Sequence, residues 1–260
     1  MEEWYRKTNR PEFIPGDPVQ FPRRFSLRAD IEIAAFLASA IAWGRRDLIL
    51  RSAEKMFALL GPSPYSYVME GARGGYRALK DASIHRTFFE YDLKYFCRGF
   101  KYCYEKYGSL EAIFASALSG ASGGGIWDGI ALFREAMARG NRGRLSKHIA
   151  GPASGSACKR INLSLRWLVR REGPVDLGLW KSIEPSALYM PLDLHVGRVA
   201  RGLGLLDPAR KANDKKAVIA LTEKLREFCP GDPVRYDLAL FGAGVSGASK
   251  AGRNQPFSRM

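Results

Sequence analysis

Apolar residues recur along this chain at intervals of three and four, the repeat of an amphipathic helix, over nearly its whole length. Asp30 is placed to cap a helix running to about Trp43, with Ile33, Phe36, Leu37 and Ile41 facing inward. A second helix is expected from about Asp47, carrying Ile49, Ala53, Met56, Phe57 and Leu60 and stopped by Gly61-Pro62. Phe89, Leu93, Phe96, Phe100 and Tyr104 mark a long aromatic helix over Phe88 to Tyr107, ended by Gly108. Ser109 can cap a short helix with Ile113 and Phe114. After the break at Gly120-Ala121-Ser122-Gly123-Gly124-Gly125, the spacing of Ile126, Ile130, Phe133 and Met137 predicts another.

The second half continues in the same style. Residues 139–155 read as a basic loop, followed by a helix from about Ser156 to Arg170 with Ile161, Leu165 and Leu168 inside. Asp193 precedes a helix carrying Val196, Val199, Ala200 and Leu203, closed by Gly204, and Asp214 can cap one with Val218, Leu221, Leu225 and Phe228. Pro230-Gly231-Asp232-Pro233 turns into a last helix with Leu238 and Phe241. No alternation of period two runs for any length, and no segment repeats. The fold class is therefore all-α, with roughly ten helices. Residues 1–25 read as an N-terminal extension, 26–245 as the folded region with a candidate subdomain junction at 120–125, and 246–260 as a flexible tail.

Composition narrows the class of function. Hydrophobic residues make up 46% and aromatics 12%, enough to build a core and to exclude disorder. No apolar run approaches the roughly 18 residues of a membrane span. The start, MEEWYRKTNRPEF, lacks a secretory apolar stretch, so a cytoplasmic, soluble monomer is expected. The net charge is +15, unevenly placed: 18 Lys/Arg against 15 Asp/Glu in residues 1–130, and 23 against 11 in residues 131–260. A positive potential gathered in one half favours a polyanion, and nucleic acid is the commonest. The four cysteines include no Cys-x-x-Cys pair, so no structural metal, cofactor or disulfide is expected, and Cys97 and Cys103 read as core thiols.

Four segments could carry chemistry. Asp193 stands at a helix start with His195 and Arg198 in the next turn; a cap alone would also put an aspartate there. Lys159 and Arg160 open a helix behind a basic loop, a positive setting that would disfavour an ammonium and favour a nucleophilic amine, although a solvated lysine or phosphate contact fits as well. Gly155 and Ser156 let the backbone approach an anion closely, and Arg142 and Arg144 precede them in the loop. Trp43, followed by Gly44, Arg45 and Arg46, suits a stacking or wedge element beside phosphates, and equally a core tryptophan beside solvated arginines.

Leu192-Asp193-Leu194-His195-Val196-Gly197-Arg198-Val199 resembles the Val-Asp-Thr-His-x-x-Arg-Val stretch of the endonuclease III group of helix-hairpin-helix DNA glycosylases. Lys159 with Asn162 is similar to the lysine and asparagine of that family's hairpin. Residues 36–43 resemble its first core helix, and Tyr91 to Gly108 a later one. The long spacer between Lys159 and Asp193 is similar to that of the archaeal 8-oxoguanine glycosylase group. Over its length the chain also resembles a bacterial family described as a domain of unknown function. The hairpin departs from the pattern, with Gly151-Pro152-Ala153-Ser154-Gly155-Ser156-Ala157 in place of Leu-Pro-Gly-Val-Gly.

The resemblance implies two helical subdomains around a central cleft. It implies a base-excision enzyme for double-stranded DNA carrying a damaged base, with oxidised purines the analogous substrate. It assigns Lys159 as the Schiff-base amine and Asp193 as the catalytic carboxylate. Three other outcomes stay open: a glycosylase without lyase activity, a catalytically silent nucleic-acid-binding protein on the same scaffold, and a helical adaptor.

Overall fold

In the computed structural model, eleven α-helices are present among the described residues, which are 1–71, 73–74, 76–119 and 124–245. They are α1 (Glu2–Thr8), α2 (Arg28–Ala40), α3 (Arg46–Leu60), α4 (Pro64–Glu70), α5 (Glu90–Tyr107), α6 (Leu110–Leu118), α7 (Ile126–Arg139), α8 (Lys159–Val169), α9 (Leu194–Gly202), α10 (Lys215–Arg226) and α11 (Tyr236–Val245). The all-α class holds. No described helix is long and apolar enough to cross a membrane. The proposed junction at 120–125 falls largely outside the described residues, as does the tail 246–260.

The helix ends follow from local chemistry. Ser109 accepts from the Ala112 amide to start α6, and Asp214 accepts from Ala217 N to start α10. Gly108 ends α5 in the left-handed conformation (φ 79°), which glycine adopts without a Cβ penalty. Asp30 behaves differently from its expected role. It lies inside the first turn of α2, buried, and accepts from Ser63 Oγ (2.9 Å) and Tyr65 N (2.7 Å), so it serves the start of α4. Helix α2 ends three residues before Trp43, and α8 opens at Lys159 rather than Ser156, because Cys158 before it takes a left-handed φ of 47°. A two-strand hairpin, β1 (Ser83–His85) with β2 (Phe88–Phe89), was invisible in the pattern because strands this short show no period.

Helices α5, α6 and α7 pack on one another, α2 packs on α4 and α8, and α1 lies along α11, which also meets α9. Helix α2 is apolar nearly all round, with Ile33, Ala34, Leu37 and Ala38 fully covered, as a central helix must be. Its buried Glu32 accepts from Tyr104 Oη (2.8 Å), Leu110 N (3.1 Å) and Trp180 Nε1 (2.8 Å). Burial pushes this carboxyl above the ordinary range, and its three donors oppose that shift.

Residues 1–25 are no appendage: Tyr5, Val19 and Phe21 enter the core, and Thr8 Oγ1 would lie 2.1 Å from a Cβ on Gly242 of α11. The connection from α8 to α9 has little regular structure yet is well anchored. Trp180 reaches Glu32, and the Lys181 and Ser182 amides both donate to Glu111 (2.7 Å each). Buried Arg166 of α8 and Arg170, the residue just after that helix, both hold Asp176. Arg166 also pairs with Asp237 of α11, and Arg170 with Asp232 just before that helix. Removing one member of such a network strands its partners' charges. Arg166→Met is therefore expected to cost about 3–5 kcal/mol of unfolding free energy, measurable by urea denaturation. A change below about 1 kcal/mol would show that the cluster does not tie α8 to α11.

Candidate functional site

Two helix starts that lie far apart in sequence meet at one point. Lys159, the first residue of α8, places its Nζ 3.8 Å from Oδ2 of Asp193, the residue that caps α9. The two carboxylate oxygens of Asp193 have different partners. Oδ1 accepts from the His195 and Val196 amides (2.9 Å each), which is the cap, and Oδ2 faces the lysine. The Asp193 carbonyl accepts from Asn213 Nδ2 (3.0 Å), fixing the backbone at this turn. Gly197 leaves room for that asparagine, whose Oδ1 would stand 2.5 Å from an added Cβ.

The setting of Lys159 differs from the cationic one expected. Its ammonium donates to the Ala42 carbonyl (3.1 Å) beyond the end of α2, and Arg160 donates to the Ala40 carbonyl (2.9 Å). Carbonyls at a helix C-terminus lack partners along the helix and carry its negative end, so cations settle there. Acceptors therefore surround the Lys159 ammonium. Arg160 is largely buried over the ring of Trp43 (5.1 Å), and burial holds its guanidinium below the ordinary range. Its guanidinium thus bonds to the Ala40 carbonyl and lies over Trp43, while the side chain also lines the outer of two neighbouring cavities.

The Lys159–Asp193 pair stands between two cavities. The outer one, about 860 Å³, is walled by Trp43, Lys147, His148, the 154–158 turn and Leu194. Gly155 and Ser156 line it as expected. Gly155 is left-handed (φ 74°) and its carbonyl accepts from Lys215 N (2.8 Å), while Ser156 bridges Asp214. Lys147 brings the basic loop to this cavity, and Leu194 is 79% exposed at its edge. Trp43 stacks on His148 (centroids 5.7 Å) and meets His85 edge-on (4.7 Å). Burial lowers the pKa of both histidines, and the Trp43 ring between them is half-buried.

The inner cavity, about 530 Å³, has Phe13, Trp43 and Phe241 as aromatic walls and Asp17 and Asp237 as acidic ones. Burial raises both carboxyls, Asp237 to about 6 even though Arg166 opposes the shift. Arg46 lies over Phe241 (4.5 Å) and reaches Asp17 at 3.5 Å. His195 lines both cavities, with its Nε2 buried against Gly244 and without a hydrogen-bond partner among the described residues. The basic residues named from sequence do not all converge. Arg45 is exposed and paired with Asp47 (2.9 Å), and Arg142, Arg144 and Arg198 are exposed outside both cavity walls. Phe13, Asp17, Asp237 and Phe241 escaped the sequence reading because each looks like an ordinary turn or core residue.

These features define an all-α protein with a lysine–aspartate pair between a basic-rimmed cavity and an aromatic one. The chain belongs to the family described as "Protein of unknown function (DUF2400)", whose model matches residues 17–246. No curated protein and no solved structure matches it. The match begins at Asp17, inside the segment that the sequence reading set apart as an extension.

Proposed function

We propose that this protein is a DNA glycosylase with AP lyase activity that excises a damaged base from duplex DNA. The observation that carries the reading is the approach of Lys159 to Asp193 across a spacer of 33 residues, between a cavity that can receive a strand and one that can receive a base. A base must leave the stack to be reached, at a cost of a few kcal/mol. In the reaction Asp193 takes a proton from the Lys159 ammonium, and the amine attacks C1′ as the glycosidic bond breaks. The departing base carries away the bond's electron pair and is then protonated. Once that proton has passed on to the departing base, the Asp193 carboxylate faces the positive charge on the sugar. The C1′–O4′ bond of the amine adduct then breaks, O4′ taking a proton, to give an iminium; this acidifies a C2′ proton, whose loss drives β-elimination of the 3′ phosphate. Incubation with duplexes bearing single oxidised purines, resolved on denaturing gels, is expected to give cleavage at the lesion. Intact strands after alkali across the whole panel would leave a catalytically silent DNA-binding protein.

Binding is expected to be electrostatic and to run over the 139–158 side. The affinity for duplex DNA should fall steeply with salt, log K dropping by about 0.9 per phosphate neutralised. Charge reversal at Arg142 and Arg144, together with Lys147 at the outer cavity, should weaken it more than reversal at exposed Arg73 and Arg77. Equal losses in a fluorescence-anisotropy titration would exclude a dedicated basic face.

A further inference from the structure

The Lys159–Asp193 pair is too open to hold itself in place. Its Nζ and Oδ2 stand 3.8 Å apart, the side chains are 25% and 41% exposed, and an ion pair so open to water fixes geometry poorly. The fixing elements lie on α9 and in the connection that follows it. Asp193, Gly197 and Arg201 fall at intervals of four along one face of α9. Asn213, from the connection between α9 and α10, runs beside that face. It donates Nδ2 to the Asp193 carbonyl (3.0 Å), and its Oδ1 accepts from Arg201 Nη1 (2.8 Å). Arg201 spends its other donors on the same connection, Nε on the Arg210 carbonyl (2.7 Å) and Nη2 on that of Ala212 (2.8 Å). Gly197 is what admits the asparagine, since a Cβ there would meet its Oδ1 at 2.5 Å and its Nδ2 at 2.8 Å.

The next residues carry the tie across to the lysine. Asp214 bridges Ser156, and Lys215 donates its amide to the Gly155 carbonyl (2.8 Å), three and four residues ahead of Lys159. One connection thus grips the start of α9 through Asn213 and the approach to α8 through Asp214 and Lys215. We propose that Asn213 is a positioning residue for the Lys159–Asp193 pair, held by Arg201 in the lane that Gly197 leaves open and setting where the Asp193 carboxylate stands. This rests on the glycosylase reading and adds to it a residue that acts through Asp193. A displacement of about 1 Å can cost about a hundredfold in rate, so a tie outside the chemistry can still govern it. A tie that only stabilised the connection would show in melting and leave the rate alone.

In the full chain, Asn213→Ala is expected to slow single-turnover cleavage of a lesion duplex about ten- to a hundredfold, while duplex affinity by fluorescence anisotropy changes less than about threefold. Gly197→Ala keeps the asparagine but closes its lane, and alanine favours the helix, so a similar loss of rate is expected without a loss of α9. In an Asp193→Asn background, Asn213→Ala should remove less than about threefold more, because its effect runs through the carboxylate. Hydrogen exchange of the protein alone reads the tie without any reaction. The His195 and Val196 amides, which Asp193 Oδ1 holds, should exchange faster in Asn213→Ala, and the Ala217 amide, which Asp214 Oδ1 holds, should not. Unchanged exchange at His195 and Val196, equal acceleration at Ala217, an unchanged rate in an active protein, or a full additional loss in Asp193→Asn would each overturn the proposal. A wild type that neither cleaves lesion duplexes nor traps abasic ones removes the glycosylase reading instead, and the exchange rates then decide the tie by themselves.

Discussion

Lys159→Gln is expected to abolish the covalent adduct that borohydride traps between this protein and abasic or lesion-bearing duplex DNA. The reason is stereochemical as well as chemical. A Schiff base needs a primary amine within reach of C1′, and Lys159 Nζ stands at the meeting of both cavities, 3.8 Å from a carboxylate able to take its proton. At rest that amine is held as an ammonium donor to the Ala42 carbonyl. Substrate must therefore draw it off the end of α2 before it can attack. Glutamine is one atom shorter and uncharged but keeps an N–H donor, and the Lys159–Asp193 pair is partly exposed, so the melting temperature should move little. Duplex binding should weaken by about one phosphate contact's worth of salt dependence. Undiminished trapping by Lys159→Gln would put the nucleophile elsewhere, for example on the N-terminal amine or on Lys181, whose Nζ donates to the Gly178 carbonyl (2.6 Å). Base excision by the wild type without trapping would mean that Asp193 activates water instead.

Asp193→Asn is expected to separate rate from stability. The cap uses Oδ1 alone, and asparagine caps helices about as well as aspartate, so unfolding free energy should change by less than about 1 kcal/mol. The oxygen facing Lys159 becomes an uncharged amide or loses its acceptor role. Excision should then fall by about 10²–10³-fold, the usual scale when one group stabilising transition-state charge is lost. Single-turnover cleavage measured beside a thermal melt decides it. A variant that melts and excises like the wild type would leave Asp193 as a cap only.

Much of this architecture was legible from neighbouring residues. The apolar repeat located the main helices, and Ser109, Asp193, Asp214 and Gly108 marked ends that the structure reproduces. Such features depend on contacts within a few residues, so a linear reading captures them. Asp30 shows the limit, because a capping side chain can serve any helix start that folding brings near it. The pair at the candidate site was named through a family resemblance. Helical spacing offered no reason to join Lys159 to Asp193 across an irregular connection.

What the sequence determined by itself is the helical class, the positions of most helices and the concentration of positive charge in the second half. Tertiary structure decided where those charges went. It turned Arg160 inward to the carbonyl end of α2, and it left Arg142 and Arg144 on the surface away from both cavities. It also assembled the inner cavity from the first twenty residues and the last described helix, joining Phe13 and Asp17 to Asp237 and Phe241. Periodicity and capping are short-range consequences of backbone geometry. A pocket forms only when distant segments pack, with buried ion pairs such as Arg166–Asp237 setting α11 against α8, and no local pattern encodes which segments those are.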